Sequence, residues 1–368
     1  MVKISEPNII IRPYQEGDEI GISQLMFNNF PSAMNAEMIC KTWLWQFKNE
    51  FSKYPAVMIA SSNNEIIAHY GLMKVKINYQ GRIIDGAVSS ATVTDKKFRG
   101  KGLFTKLSNA TYKSIQNEGC KIIFGFPNSQ SFHGFIKNLN WFEICDFPAL
   151  IKPLRFYPFI QKIVKVNFLS RVIACFGKLL YTSILKIFKP SFTKEDIEIL
   201  SVDQIREDIT SLWKNSYGGK NIAVTRNKDY IEWRYFKKPF FKYNIDLALS
   251  RNSEVGYLIT LLDKMLDIKI LYIMELVTMD DDPIIYNRLL QQAEEMARKQ
   301  DADAVSILSL RNNPNYSLLL RNGFLPVYKK MLPQGIYFGA RINDKDIDKR
   351  YVQDSKNWYI SWGDLDVV

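Results

Sequence analysis

Ala91-Thr92-Val93-Thr94-Asp95-Lys96-Lys97-Phe98-Arg99-Gly100-Lys101-Gly102-Leu103 is the stretch that decides how this chain is read. The residues leading into it, Ile83 to Thr94, read as a strand. Beyond it, Leu103, Leu107, Ala110 and Tyr112 mark an amphipathic helix. Arg99-Gly100-Lys101-Gly102 is thus a turn between a strand and a helix. The first N–H groups of a helix have no intrahelical carbonyl to bond, and they lie at the positive end of the helix dipole. Such a turn suits a phosphate or pyrophosphate. Glycine at 100 and 102 allows positive φ and a close approach of backbone to anion. Arg99 and Lys101 add charge for phosphate oxygens. A solvated surface turn has the same composition, so context has to decide.

Upstream, Ile9-Ile10-Ile11 is an apolar run broken by Arg12-Pro13, and Gly17-Asp18 opens a helix with Ile22, Leu25 and Phe30 at helical spacing. An aromatic helix carries Trp43, Trp45 and Phe47. Strand-like runs at 56–60 and 66–77 are parted by Ser61-Ser62-Asn63-Asn64, and Tyr79-Gln80-Gly81 turns the chain into the strand that reaches Thr94. Downstream come a strand from Lys121 to Phe126, Pro127-Asn128, a short helix to Asn138, and a final strand from Trp141. This alternation predicts a sheet layered against helices.

The order recurs from about residue 190. Strand runs at 197–200, 243–249, 255–262 and 268–277 precede a helix at 283–299 and a strand at 304–310, and Trp233-Arg234-Tyr235 matches Trp45-Gln46-Phe47. Asn313 followed by Asn322-Gly323-Phe324 mirrors Asn128 followed by Asn140-Trp141. We read a diverged internal duplication. The second copy opens its helix with Asp280-Asp281-Asp282-Pro283, and positions 287 and 290, equivalent to 99 and 102, are Asn287 and Leu290. Carboxylates at that helix end would repel a pyrophosphate. The expected division is 1–150, a basic helical insert at 151–195, a degenerate second domain at 196–345, and a tail at 346–368.

At 368 residues the chain exceeds what one core usually supports. Its four cysteines form no C-x-x-C pair, and with two histidines no metal-ligand set emerges. The opening residues lack the pattern of a signal peptide, so a cytoplasmic protein is expected. The net charge of +11 is concentrated: no acid occurs between Asp146 and Glu195, a gap that holds Lys152, Arg155, Lys162, Lys165, Arg171, Lys178, Lys186 and Lys189. No element for reading nucleic acid accompanies it, so no nucleic-acid partner is expected. Within 155–189 the longest uncharged run, Leu179 to Leu185, falls short of the ~20 residues that span a bilayer. Arg171, Lys178, Lys186 and Lys189 share a helical stripe, with Phe176, Leu180, Ile184 and Ile187 on other faces. This is either a linker helix packed on the domains or a helix lying against the inner face of a membrane.

The segment Ala91 to Thr94, its spacer, and Phe98 to Leu103 resemble the acetyl-CoA-binding motif of the GNAT superfamily, [Q/R]-x-x-G-x-[G/A], placed on Arg99, Gly102 and Phe104. The resemblance covers residues 8–150 closely and 196–330 weakly. It implies an α/β (α+β) fold of two GNAT-like domains, each a mixed, mostly antiparallel sheet flanked by helices. It also implies acetyl-CoA as cosubstrate without a metal, and a small primary amine, an amino sugar included, that attacks the thioester directly. By the same resemblance, backbone amides of Arg99, Gly100, Lys101, Gly102, Leu103 and Phe104 would hold the pyrophosphate. Thr92, Val93 and Thr94 would pair with pantetheine, Asn128 would contact the cofactor, and the Val93 N–H would serve the oxyanion. Phe104 departs from the motif's small residue and should press on the first turn of the helix. The family's tyrosine acid falls near Phe135 and Ile136, neither of which can donate a proton, which leaves His133 as the nearby candidate. His69, Ser89, Ser90, Asp364 and Asp366 are each open to a substrate or proton role or to a plain structural one. Two other functions fit less well: a cell-wall transferase that uses aminoacyl-tRNA, and a non-catalytic acyl-CoA-binding or membrane-docking module.

Overall fold

The computed structural model describes residues 8–30, 34–49, 54–164, 166–188, 190, 197–203, 208–217, 221–328 and 335–365. Lys165, Lys189 and Asp366 lie outside them. The chain divides into two compact units. The first takes the chain up to Asp146 with Lys237–Phe240 and 335–354, and the second takes Phe147–Phe236, 241–328 and 355–365.

In the first unit the order is β1 (Ile9–Pro13), α1 (Asp18–Asn29), α2 (Ala36–Phe47), β2 (Ala56–Ser62), β3 (Glu65–Tyr79), β4 (Arg82–Thr94), α3 (Leu103–Asn117), β5 (Ile122–Gly125), α4 (Ser129–Leu139) and β6 (Phe142–Asp146). The second unit continues with β7 (Ala149–Pro153), α5 (Tyr157–Ile163), α6 (Asn167–Phe188), β8 (Ile197–Ser201), α7 (Asp208–Tyr217), β9 (Ala223–Val224) and α8 (Lys228–Ile231). It is completed by β10 (Asn244–Ser250), β11 (Ser253–Met265), β12 (Ile268–Thr278), α9 (Pro283–Lys299), β13 (Ala304–Leu308), α10 (Tyr316–Arg321) and β14 (Leu325–Pro326). The chain then re-enters the first unit as β15 (Tyr337–Ile342) and α11 (Lys349–Gln353).

Both sheets are mixed and repeat one strand plan. The first runs β1-β2-β3-β4-β5-β15-β6 and the second β8-β10-β11-β12-β13-β7-β14. In each, the single parallel pair in that path (β4 with β5, β12 with β13) sits among antiparallel neighbours. The two-domain α/β architecture expected from sequence is present. The boundaries differ from those expected, because one strand has been traded each way. Residues 149–153 pair with β13 and β14 of the second sheet, and 337–342 slot between β5 and β6 of the first. Phe142–Asp146 is therefore the edge strand of its sheet but not the last one along the chain, and 346–354 is part of the first unit rather than a tail. A short apolar run carries no signal for which sheet edge it will pair with.

In the first unit helices cover both faces of the sheet. On one side Ile22 and Leu25 of α1 and Trp43 and Phe47 of α2 bury against Val57, Ile59 and Val93. On the other, Leu103, Leu107, Tyr112 and Ile115 of α3 and Phe135 of α4 pack on Ala56, Ala60, Ala68, Tyr70 and Leu72. Each of the large apolar side chains among these contributes about 1.5–3 kcal/mol by leaving water. Position 71 must be glycine, since a Cβ there would lie 2.6 Å from the Phe47 ring.

Candidate active site

Strands β4 and β5 stay paired only from Gly86–Ile122 to Ser89–Gly125. Beyond Ser89, β4 runs on to Thr94 with its β5 side unpaired, and this opens a cleft. At the mouth of the cleft β4 carries an irregularity: Gly71 faces Ser90 and His69 faces Val93, so Ala91 and Thr92 both oppose Tyr70. Ala91 holds a left-handed φ of 52°, costly for a residue with a Cβ.

Side chains from α2 and β3 enforce that bulge. Trp43 Nε1–H donates to His69 Nε2 at 3.1 Å, so the imidazole proton sits on Nδ1, which donates to the Ala91 carbonyl at 2.6 Å. Gln46 Nε2 donates to Ser90 Oγ at 2.5 Å. His69 is fully buried, and burial lowers its pKa to about 4. It is thus a structural clamp and stays neutral at physiological pH. The unfolded chain begins to bind this proton near pH 6.5, whereas the native protein takes it up only near pH 4, so stability falls as pH drops through that window. A shift of this size costs at most about 3 kcal/mol. Urea unfolding between pH 7 and pH 4 should show this slope in the native sequence and not in His69→Leu; parallel curves would refute the clamp.

The turn at 95–102 is built around two left-handed glycines. Asp95 caps a short 3-10 turn, Lys96–Phe98, by accepting from Lys97 N, and Gly100 (φ 80°) and Gly102 (φ 72°) are both left-handed. Gly102 stands at the N-cap of α3 with no side-chain cap, and Lys106 N bonds Gly102 O, so the N–H groups of Leu103, Phe104 and Thr105 precede the first intrahelical bond. A Cβ built on either glycine meets nothing within 4 Å, so the loop faces open space. Arg99 Nε donates to the Thr94 carbonyl at 3.2 Å, and Lys101 lies over the Phe98 ring at 5.3 Å. Helix α3 ends at Gly119 (φ 88°), where Cys120 N returns to the Ile115 carbonyl. Phe104 does not distort the first turn. It points inward, edge-on to Tyr70 and Phe135, into room left by Gly134, where a Cβ would come within 2.9 Å of its ring.

Two expectations change. Asp95 N donates to Ile67 O on β3, and N–H groups two residues apart on a strand point the same way, so the Val93 N–H is directed at β3. Thr94 therefore presents its peptide groups to the open edge, and the Arg99 contact with its carbonyl agrees. His133 is exposed on α4, whose buried residues are Phe132, Phe135 and Leu139 on the opposite side, and the structure does not bring it into the hydrogen-bond network around the bulge. Asn128 spends its side-chain oxygen on the α4 N-cap, accepting from Gln130 N and Ser131 N at 3.1 Å each.

A chain of hydroxyls that no sequence motif marks lies between α3, β3 and β4. Trp141 Nε1–H donates to Tyr112 OH at 2.9 Å, Tyr112 OH lies 2.7 Å from Tyr70 OH, and Tyr70 OH lies 2.9 Å from Ser89 Oγ. Tyr70 and Tyr112 are buried, and Ser89 is half-exposed at the point where the strands part. Burial holds both phenols protonated, raising Tyr112 to about 12 and Tyr70 well above its ordinary value. The alternate-residue pattern of β3 would have revealed that Tyr70 faces the helices, but not that it meets Ser89 across the register.

The second unit has the same parting strands without the same donors. Pairing of β12 with β13 ends at Ile273–Ile307. At the start of α9, Asp282 accepts from Ile284 N and Ile285 N at 2.7 and 3.2 Å, and Pro283 has no N–H. Asn313 accepts from Asn315 N, as Asn128 does from Gln130 N. A pocket of about 210 Å³ here is lined by Asp281, Ser309, Asn312, Trp358 and Tyr359 among others. Asp364 is neither a solvated tail residue nor an open amine site. It is buried, accepts from Arg226 Nη2 at 2.9 Å and caps the turn at Ser361. Among the described residues no group of three or more His, Cys, Asp or Glu is gathered in a way that could hold a metal.

The sheet, its bulge and the glycine turn define a class, and the comparisons agree. Residues 10–141 match the acetyltransferase (GNAT) domain family, so this part of the chain is a GNAT domain. Among solved structures it is similar to a conserved Enterococcus faecalis protein, a probable N-acyltransferase, with TM-score 0.61 at 11% identity over 91% of this chain and 72% of that one. A GCN5-related N-acetyltransferase from Anabaena variabilis gives TM-score 0.61 at 11% identity over 92% and 73%, and one from Kribbella flavida 0.55 at 12% over 91% and 71%. Such identities carry the fold alone. No curated protein sequence matches the chain.

Proposed function

We propose that the chain transfers an acyl group, acetyl in the first instance, from an acyl-CoA to a primary amine. The observation that carries this reading is the contrast between the two helix starts: α3 opens with unspent N–H groups behind two left-handed glycines, whereas α9 closes its own with Asp282 and Pro283. One cosubstrate should therefore bind per chain. The backbone from Arg99 to Phe104 would hold its pyrophosphate, with Arg99 and Lys101 beside it, and the open edge of β4 at Thr92 and Thr94 would pair with the pantetheine arm. The bound thioester supplies the activated acyl group. The protein's tasks are then to align amine and carbonyl and to offer the edge N–H groups at the bulge to developing negative charge.

The hydroxyl chain supports a proton role for Ser89. Because Trp141 donates to Tyr112, the Tyr112 proton is available to Tyr70 and the Tyr70 proton to Ser89. The Ser89 proton is then left for the cleft, where a departing thiolate needs one. Ser89→Ala should lower kcat about a hundredfold with KM for acetyl-CoA nearly unchanged. Tyr70→Phe should lower kcat about tenfold, since it removes only the orienting bond. Wild-type kcat in Ser89→Ala would remove this group from the chemistry. A cytoplasmic location belongs to the same proposal, because acyl-CoA is a cytoplasmic cosubstrate.

The test is calorimetric titration with acetyl-CoA, followed by release of free CoA thiol across a panel of amines, amino sugars included. We expect one site and amine-dependent thiol release. No binding, or two equal sites, would overturn the assignment.

A further inference from the structure

Helix α6 is the most conspicuous surface of the chain outside the proposed site. Its inner face is Ser170, Ala174, Gly177, Tyr181 and Leu185, spaced four, three, four and four apart, and it lies against the second unit. Tyr181 donates to the Gly323 carbonyl and stacks edge-on with Phe156, and a Cβ at Gly323 would strike Tyr181 and Leu185. The outer face is apolar and open to solvent. Leu169, Phe176, Leu180 and Ile187 form one stripe at intervals of seven, four and seven, exposed by 47, 69, 65 and 76%, and Leu179 beside them is exposed by 64%. Val166, Phe168 and Phe188 extend the surface at the ends. Water-facing apolar area of this extent on one helix is uncommon in a soluble protein.

The charges flanking it are all of one sign. Arg171, Lys178 and Lys186 lie along one border, and none makes an ion pair with a described residue, whereas Arg155 and Lys162 are paired with Asp301 and Asp267. The 22 residues of α6 make it long and apolar enough to cross a bilayer by length and composition, contrary to what its short uncharged run implied. Its inner face, however, is already committed to protein. A second copy of the chain would bring one basic, acid-free helix against another, with nothing to neutralise either. A surface that is apolar inside and anionic at its rim matches both features.

We propose that α6 docks flat on an anionic lipid bilayer, with Leu169, Phe176, Leu179, Leu180 and Ile187 buried among the acyl chains and Lys178 and Lys186 at the phosphate level. This places the chain as a peripheral membrane protein, whatever its acceptor. Flotation of the full chain with phosphatidylcholine vesicles, with and without 30% phosphatidylglycerol, tests it. Binding is expected to the anionic vesicles and to weaken in high salt. Lys178→Gln with Lys186→Gln should weaken it about 30-fold, and Phe176→Ser with Leu180→Ser about tenfold or more. Both pairs are solvent-exposed, so their melting temperatures should match the wild type, which separates lost docking from lost folding. Equal binding to neutral vesicles, binding to neither, alkali-resistant insertion, or a lipid-free dimer that the Phe176/Leu180 variant dissolves would each overturn the proposal.

Discussion

Replacing Gly102 with Asp is expected to erase the stabilisation that saturating acetyl-CoA gives the wild-type chain. A ligand at a hundred times its Kd stabilises the folded state by about 2.7 kcal/mol, worth several kelvin in a unit of this size. The substitution attacks that gain twice. Position 102 is left-handed at φ 72°, so any side chain is strained there, and it is the N-cap of α3. A carboxylate at an N-cap folds back on the helix's first N–H groups, as Asp282 does at α9, and so takes the donors a pyrophosphate needs and repels it as well. Gly102→Ala keeps the strain and omits the charge, so it should retain part of the shift. Undiminished acetyl-CoA affinity in Gly102→Asp would mean that the turn is not the anchor.

Arg226→Leu should unfold the second unit at markedly lower temperature. Arg226 is completely buried and donates to Glu275 at 3.1 Å, Asp364 at 2.9 Å, Ser361 Oγ at 3.0 Å and the Val224 carbonyl at 2.6 Å. Glu275 also accepts from Tyr235, Tyr359 and Ser361. Burial opposes the guanidinium's charge, yet the two carboxylates outweigh it and hold the group more firmly protonated than in water. Removing the cation leaves two acids without their counter-charge, a loss of about 3–5 kcal/mol, or roughly 10 K at 2–4 K per kcal/mol. Glu275→Gln with Asp364→Asn in the same background should recover part of it. A melting temperature within 2 K of wild type would show that the cluster is not charged as described.

The parts of this protein legible in its sequence are those fixed locally. The strand–turn–helix of 91–103 could be read because glycine at two positions, with helical spacing after it, leaves few alternatives. The closure of α9 could be read because an acid at the N-cap, Asp282, and the proline after it each act on the helix start they adjoin. Groups fixed by register across strands were not legible. The direction of the Val93 N–H depends on where β3 slips against β4, and the meeting of Tyr70, Tyr112 and Ser89 depends on three elements far apart in the chain. Asp364 looked like a tail residue because its partner, Arg226, lies 138 positions upstream. His133 is a candidate by chemical type alone, whereas the spacing of the apolar residues Phe132, Phe135 and Leu139 places it on the outer side of its helix.

The traded strands carry a consequence for synthesis. Strand β15, Tyr337–Ile342, emerges from the ribosome some two hundred residues after Phe124 and Gly125, the neighbours it must join. Until then the edge of β5 waits uncovered, and a fragment cut near residue 150 would keep it so. Separately produced halves should therefore aggregate, yet recover activity when refolded together.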